Sequence, residues 1–332
     1  MNTSEQISCS SEQSARPVPA AVRSRARGCM LGQLAGDSLG SLVEFRTPEQ
    51  IRAAYPGGVR ELADGGTFDT LAGQPTDDSE MALAMARQLV ATGRYCALRT
   101  GRQYRDWLRS GPFDCGNTIA SALQGRPNPA SQANGALMRV SPLGIFGAGR
   151  SRTDVMKWAK KDAALTHPHP VCAQANALYA ALLARAVAEG GTAAERYEEL
   201  LGWMKRMKLE EGLRRAVESA AHEKPRNYTM QMGWVLIALQ NALWQMLHAP
   251  SLEEGVVDTV MQGGDTDTNA AIAGALLGAL YGEEAIPAQW RQALLSCRPE
   301  KGRAGVHQPR PDIYWPVDAP QLADALLEAG WK

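Results

Sequence analysis

The 332-residue sequence lacks net charge: 35 Lys and Arg balance 35 Asp and Glu. No bulk attraction to nucleic acid or to an acidic membrane surface is therefore expected, and an anionic ligand has to be held by local groups. Cysteine is sparse, and its six positions contain no C-x-x-C pair. That excludes a zinc ribbon and argues against a disulfide framework. No stretch approaches the ~20 apolar residues of a membrane helix. The first residues, Asn2, Thr3, Ser4 and Glu5, are polar and carry no signal-like apolar run, so the expected location is the reducing cytoplasm. Sustained alternation of apolar and polar residues is also missing, and half-buried strands are not expected.

What remains is helical periodicity. Residues 1–22 are rich in Ser, Gln and Pro without a period and read as a flexible N-terminal arm. Residues 23–332 read as one all-α domain. Thr76 is a candidate cap for a helix that stops before Gly93. Further helices are expected over 99–110, 116–124, 152–165, 170–189, 192–206, 208–222, 230–248, 252–262, 267–281, 287–296 and 318–329. The 267–281 segment carries Ala270, Ala271, Ala273, Gly274, Gly278 and Ala279. Its glycines cost helix propensity, so close packing in the interior is expected to stabilise it.

Two acidic motifs stand out at expected helix starts: Pro75-Thr76-Asp77-Asp78-Ser79-Glu80 and Gly263-Gly264-Asp265-Thr266-Asp267-Thr268. Carboxylates in a first helical turn are favoured by the macrodipole, by roughly 0.3–1 kcal/mol, and the first motif alone has that plain explanation. The second does not. In a regular helix Asp265 and Asp267 would point about 200° apart. Both face one point only if the chain is not yet helical there, and Gly263-Gly264 permits such a turn. Four carboxylates and the hydroxyls of Thr76 and Thr268, with no His or Cys nearby, suit a hard cation: Mg²⁺, Mn²⁺ or Ca²⁺. Two cations sharing the carboxylates would neutralise them most economically.

At these residues the chain resembles the ADP-ribosylglycohydrolase family. Gly32-Gln33-Leu34-Ala35-Gly36-Asp37-Ser38-Leu39-Gly40 followed by Glu44 looks like the family's first helix. Thr76-Asp77-Asp78-Ser79 looks like its first metal motif, Asn134-Gly135-Ala136-Leu137-Met138-Arg139 like its N-G-A-x-M-R segment, and Gly263–Thr268 like its most specific signature. The resemblance covers roughly residues 25–297. It implies an orthogonal helical bundle, a cleft with two Mg²⁺ or Mn²⁺ ions, and Thr76, Asp77, Asp78, Asp265, Asp267 and Thr268 as metal-shell residues.

Glu44, Asp77 and Asp267 are the acid/base candidates for cleaving the bond between ADP-ribose and its acceptor. Glu44 ends an apolar stretch, where burial would raise its pKa. Gly116-Asn117 at a helix start reads equally as a phosphate site or a simple cap. Asn134-Gly135 reads as a turn, and the resemblance turns it towards the diphosphate or distal ribose. His167 and His169 have no third zinc ligand nearby, and the resemblance makes His167 an ADP-ribose contact. The expected substrate is ADP-ribosylated protein, modified on arginine. The alternatives are an immunity protein that docks on an ADP-ribosyltransferase toxin, and a hydrolase of other ADP-ribose conjugates.

Overall fold

A computed structural model describes residues 17–331. The expected arm falls largely on residues 1–16, outside the described residues. Its last three residues are helical, because the first helix opens at Ala20 and buries Val22.

Fifteen α-helices make up the described chain. In order they are α1 (Ala20–Gly40), α2 (Pro48–Ala54), α3 (Asp77–Thr92), α4 (Ala97–Arg109), α5 (Asn117–Leu123), α6 (Ser141–Phe146), α7 (Arg152–Ala163), α8 (Pro170–Glu189), α9 (Ala193–Met204), α10 (Glu211–Ser219), α11 (Val235–His248), α12 (Leu252–Val260), α13 (Thr266–Tyr281), α14 (Ala288–Ser296) and α15 (Ala319–Gly330). Two short 3₁₀ turns and two isolated β-bridges complete them, and no strand forms among the described residues. The all-α expectation holds.

The centre is the antiparallel pair α1 and α13. Gly28, Gly32, Gly36 and Gly40 recur every fourth residue, which places them on one stripe of α1. They meet Gly278, Gly274, Ala270 and Asp267 of α13 in reverse order. A Cβ built on Gly28, Gly32 or Gly36 would enter the carbonyl oxygen of Gly278, Gly274 or Ala270, so the two backbones touch directly. The helix cost of these glycines is offset by close packing of buried backbone.

α8, with 20 residues, is long and apolar enough to cross a membrane by length and composition, although most of it is buried in this interior. α2 and α6 were not expected from the sequence. α2 is a seven-residue helix opened by a capping box, in which Thr47 and Gln50 satisfy each other's backbone N–H groups. α6 is only six residues long. α11 begins at Val235 rather than at 230, because Gln231 takes a positive φ of 53° and the Gly233 carbonyl accepts from Asn134 N instead of continuing a helix.

The glycine stripe gives a direct test. Gly36→Ala should destabilise the protein by about 2–3 kcal/mol in urea unfolding, because neither backbone can retreat. Gly57→Ala has open space around its Cβ and should stay within about 0.5 kcal/mol of wild type.

Candidate active site

The α1–α13 pair fixes the site. The C-terminal end of α1 carries Asp37, the following turn carries Glu44, and both lie against the N-terminus of α13 with Asp265 and Asp267. Gly263 and Gly264 have φ of 72° and 77°, and a Cβ on Gly263 would stand 2.6 Å from the Arg46 carbonyl. Two reciprocal bonds, Phe45 N to Gly264 O and Gly264 N to Arg46 O, clamp this turn to the end of α1. Asp265 is left as the non-helical residue before α13, while Asp267 lies in its first turn. One oxygen from each, and one from Glu44, lie within 4.8 Å of one another.

A second triad lies behind the first. Asp37, Asp78 and Asp267 each bring an oxygen within 4.8 Å of the others, so Asp267 belongs to both groups. Asp37 accepts from the backbone N–H groups of Thr76 and Ser79 at 3.1–3.2 Å and so caps α3 from another helix. Thr76 occupies the cap position, but its side chain makes no cap bond. Its hydroxyl donates instead to Asp78 Oδ2 at 3.0 Å, because the free amides of α3 already have Asp37.

Glu44, Asp265 and Asp267 line a cleft of about 350 Å³ together with Asp77, Asp114, Gly116, Asn117, Asn134, Gly135, His167 and Thr268, while Asp37 and Asp78 are fully buried and do not line it. No Lys or Arg lines it among the described residues. Burial and mutual repulsion drive the carboxyls upward: Asp114 to about 6, Asp37 to about 7 and Glu44 to about 9, with burial the largest cause in each. Asp77, Asp78 and Asp267 are raised by the same two causes. Buried Asp78 Oδ1 and Glu44 Oε2 have no hydrogen-bond partner. An all-oxygen donor set with orphaned carboxylate atoms fits a hard divalent cation.

Of the six expected metal-shell residues, Asp78, Asp265 and Asp267 enter the triads. Asp37 and Glu44 complete them. Asp77 stands outside both triads, accepting from Gly116 N at 3.1 Å. That bond occupies the Gly116 amide, leaving Asn117 and Thr118 as the open start of α5. Asn134 serves the acids rather than facing freely into the cleft, since its Nδ2 donates to Asp265 Oδ2 at 2.8 Å. Gly135 is wedged against Ile119 and His167, and fully buried Arg139 holds its carbonyl at 3.1 Å while pairing with Asp162.

His167 lines the cleft with a buried, unpartnered Nε2. Burial pushes its pKa down to about 3, so the ring is neutral. When Nδ1 accepts from Thr166 Oγ1, 2.8 Å away, Nε2 is a hydrogen-bond donor facing the cleft. His169 instead caps α8 through Val171 N, so the two histidines form no metal pair. The basic run at the start of α1 is spent elsewhere: Arg25 on the carbonyls of Val187 and Ala188, and Arg27 on Asp324 and Glu283.

Asp37 and Asp114 were missed as site residues. Asp37 lies within the glycine-rich first helix, where Gly32, Gly36 and Gly40 recur every fourth residue, a signal that could have flagged the helix as closely packed. Asp114 had no sequence signal beyond its place before Gly116.

Fold and cleft together define an all-helical protein with an acidic active site suited to divalent cations. The chain matches the ADP-ribosylglycohydrolase family over residues 18–330 and belongs to it; it is a glycohydrolase. It is 32% identical over 283 residues to the ADP-ribosyl-(dinitrogen reductase) glycohydrolase of Rhodospirillum rubrum, covering 82% of this chain and 91% of that protein. With an ADP-ribosylarginine hydrolase of Pseudomonas putida the identity is 28% over 285 residues, covering 80% and 73% respectively. A solved ADP-ribosylglycohydrolase-related protein complex contains a chain that superposes with a TM-score of 0.78 at 28% identity, covering 94% of this chain and all of that one.

The raised carboxyls make the cation-free protein pH-sensitive. A carboxyl whose folded pKa lies above its unfolded value stabilises the fold fully below the unfolded pKa, and that contribution is lost as pH rises through the folded pKa. For Asp37 the window runs from 3.8 to about 7, and for Glu44 from 4.5 to about 9. After chelation, the melting temperature should fall steadily from pH 5 to pH 8.5. Glu44→Gln should flatten the upper part of that slope, and a slope unchanged in this variant would contradict the assignment.

Proposed function

We propose that this enzyme is a divalent-cation-dependent hydrolase that releases ADP-ribose from arginine-ADP-ribosylated protein. The observation that carries the reading is the pair of carboxylate triads sharing Asp267, one lining a cleft without a basic side chain and the other buried against it. The arginine acceptor is favoured by the likeness to an ADP-ribosylarginine hydrolase, together with an acidic cleft that suits a cationic leaving group.

Asp37, Asp78 and Asp267 would hold one Mg²⁺ or Mn²⁺ ion, and Asp265 and Asp267, with Thr268 beside them, a second. Bound cations would supply Lewis acidity, anchor ribose hydroxyls and keep the carboxylates that hold them, with neighbouring Asp77, in the ionised form, leaving Glu44, which holds neither ion, to its buried surroundings.

The protein's own groups carry the proton transfers. Cleavage of the C1″–N bond leaves its electron pair on the guanidine nitrogen and builds oxocarbenium-like charge on the ribose. Glu44, protonated near neutral pH and with Oε2 free of any hydrogen bond, is the donor to that departing nitrogen. Asp77, in the cleft but outside both triads, accepts a proton from the water whose oxygen joins C1″. Asp114, beside Asp77, adds negative charge near the developing positive centre. His167 Nε2 and the open start of α5 offer donors to the diphosphate.

The test is release of free ADP-ribose from arginine-modified protein with Mg²⁺ or Mn²⁺, compared with chelated enzyme. Asp267→Asn and Asp77→Asn should each lower kcat by about 10²–10³-fold. Only Asp267→Asn should also abolish the rise in melting temperature on adding Mn²⁺. Equal activity with and without chelator would overturn the cation-dependent reading.

A further inference from the structure

Phe45 combines three properties that packing does not explain. Its backbone has φ of 66°, in the left-handed region where a bulky side chain is strained. Its ring is 58% exposed, although it belongs to the most hydrophobic class of residue. It also lines the cleft directly beside Glu44. Strain of this kind persists only where the surroundings impose it. Here the imposing contact is the bond from Phe45 N to Gly264 O at 2.8 Å, which belongs to the turn that presents Asp265.

Thr67 Oγ1 donates to the Glu44 carbonyl at 3.1 Å, seating the 65–70 loop against the Phe45 turn. The partly buried rings of Phe68 and Phe113 meet at 5.6 Å between centroids with their planes tilted by 53°, and Phe113 immediately precedes Asp114 of the cleft. Among the described residues that line the cleft, Phe45 supplies the one Phe, Tyr or Trp ring. An exposed aromatic ring sharing the cleft with the carboxylates of Glu44 and Asp114 matches a flat organic cation as the acceptor, which gains from ring quadrupole and negative charge together. A hydrocarbon acceptor would gain nothing from the acids, and an anionic acceptor would be repelled by them.

We propose that Phe45 is the specificity-determining residue for the acceptor: its exposed face stacks on the guanidinium of the modified arginine, holding the leaving nitrogen next to Glu44. This rests on the arginine reading above. The strained backbone then has a purpose, since a relaxed turn would carry the ring away from the cleft mouth.

Phe45→Leu and Phe45→Tyr separate this from a structural role. On arginine-linked ADP-ribose, Phe45→Leu should lower kcat/KM by about five- to tenfold, chiefly through KM, while Phe45→Tyr keeps most of the wild-type value. The Kd of free ADP-ribose, which carries no acceptor, should change less than about twofold in both variants. Unchanged kcat/KM in Phe45→Leu would overturn the proposal, as would a matching loss of ADP-ribose affinity, which would make Phe45 a support of the cleft. Wild-type enzyme that cleaves serine-linked but not arginine-linked substrate would overturn the arginine reading itself, and the platform with it. The first two failures appear only in the variant and the last in the wild type.

Discussion

Everything at the active site depends on the approach of two helix backbones. Side chains on either α1 or α13 would separate their axes, and the acids at their ends would part with them. Because Gly28, Gly32, Gly36 and Gly40 remove that barrier, the end of one helix and the start of the other meet at backbone distance, and Gly40 lies on Asp267 itself. The same contact aligns Asp37 with the open amides of α3, so a carboxylate from the first helix organises the third. Three chain segments far apart in sequence are thus set by one interface, and the interface tolerates no added atom on its stripe.

That precision is used to hold an arrangement that is electrostatically unfavourable on its own. Seven carboxyls, Asp37, Glu44, Asp77, Asp78, Asp114, Asp265 and Asp267, share a partly buried space without a basic side chain among the cleft residues. Each is pushed towards its neutral form. The scaffold resists their separation through hydrogen bonds from backbone and amide groups: Thr76 and Ser79 to Asp37, Gly116 to Asp77, and Asn134 to Asp265. A buried pair just beneath adds rigidity. Glu80, two residues beyond Asp78, takes both Arg310 and the Trp107 indole at 2.7 Å, and Arg310 also holds Ser110, which leads into the Asp114 loop. Fold stability and site preorganisation therefore pull in opposite directions, and the cation proposed for the site would reconcile them.

Much of this was legible in the sequence, and the limits have physical causes. The helical periodicity located most elements because 3.6-residue patterns are local. Gly263-Gly264 before two alternate aspartates was informative because it asks for a non-helical turn at one place, and the turn is there. Asp265 and Asp267 therefore face one point, as their spacing required. The roles that were missed depend on partners distant in sequence. Asp37 caps a helix that starts some forty residues later, so nothing near it announces the bond. Asn134 was legible as part of a motif, but its partner Asp265 was not, because that hydrogen bond spans 131 positions. α2 and α6 are too short for a period to show.

Phe45 marks the remaining boundary of sequence reasoning. By composition it extends the apolar run Leu39, Leu42 and Val43, and a core position would be the natural reading. The other three are at most 3% exposed, so the run does enter the core, and it stops one residue earlier than hydrophobicity suggests. The reason lies in the backbone. After α1 ends, the chain must turn back to meet Gly264, and the left-handed φ at Phe45 makes that turn. Glu44 is swung inward and Phe45 outward, against the ordinary preference of both side chains. A carboxyl held where burial protonates it, next to an aromatic held where water meets it, is a costly pair for folding alone. It would be an ordered pair for the substrate proposed above, which brings a cationic acceptor and needs a proton at its departing nitrogen.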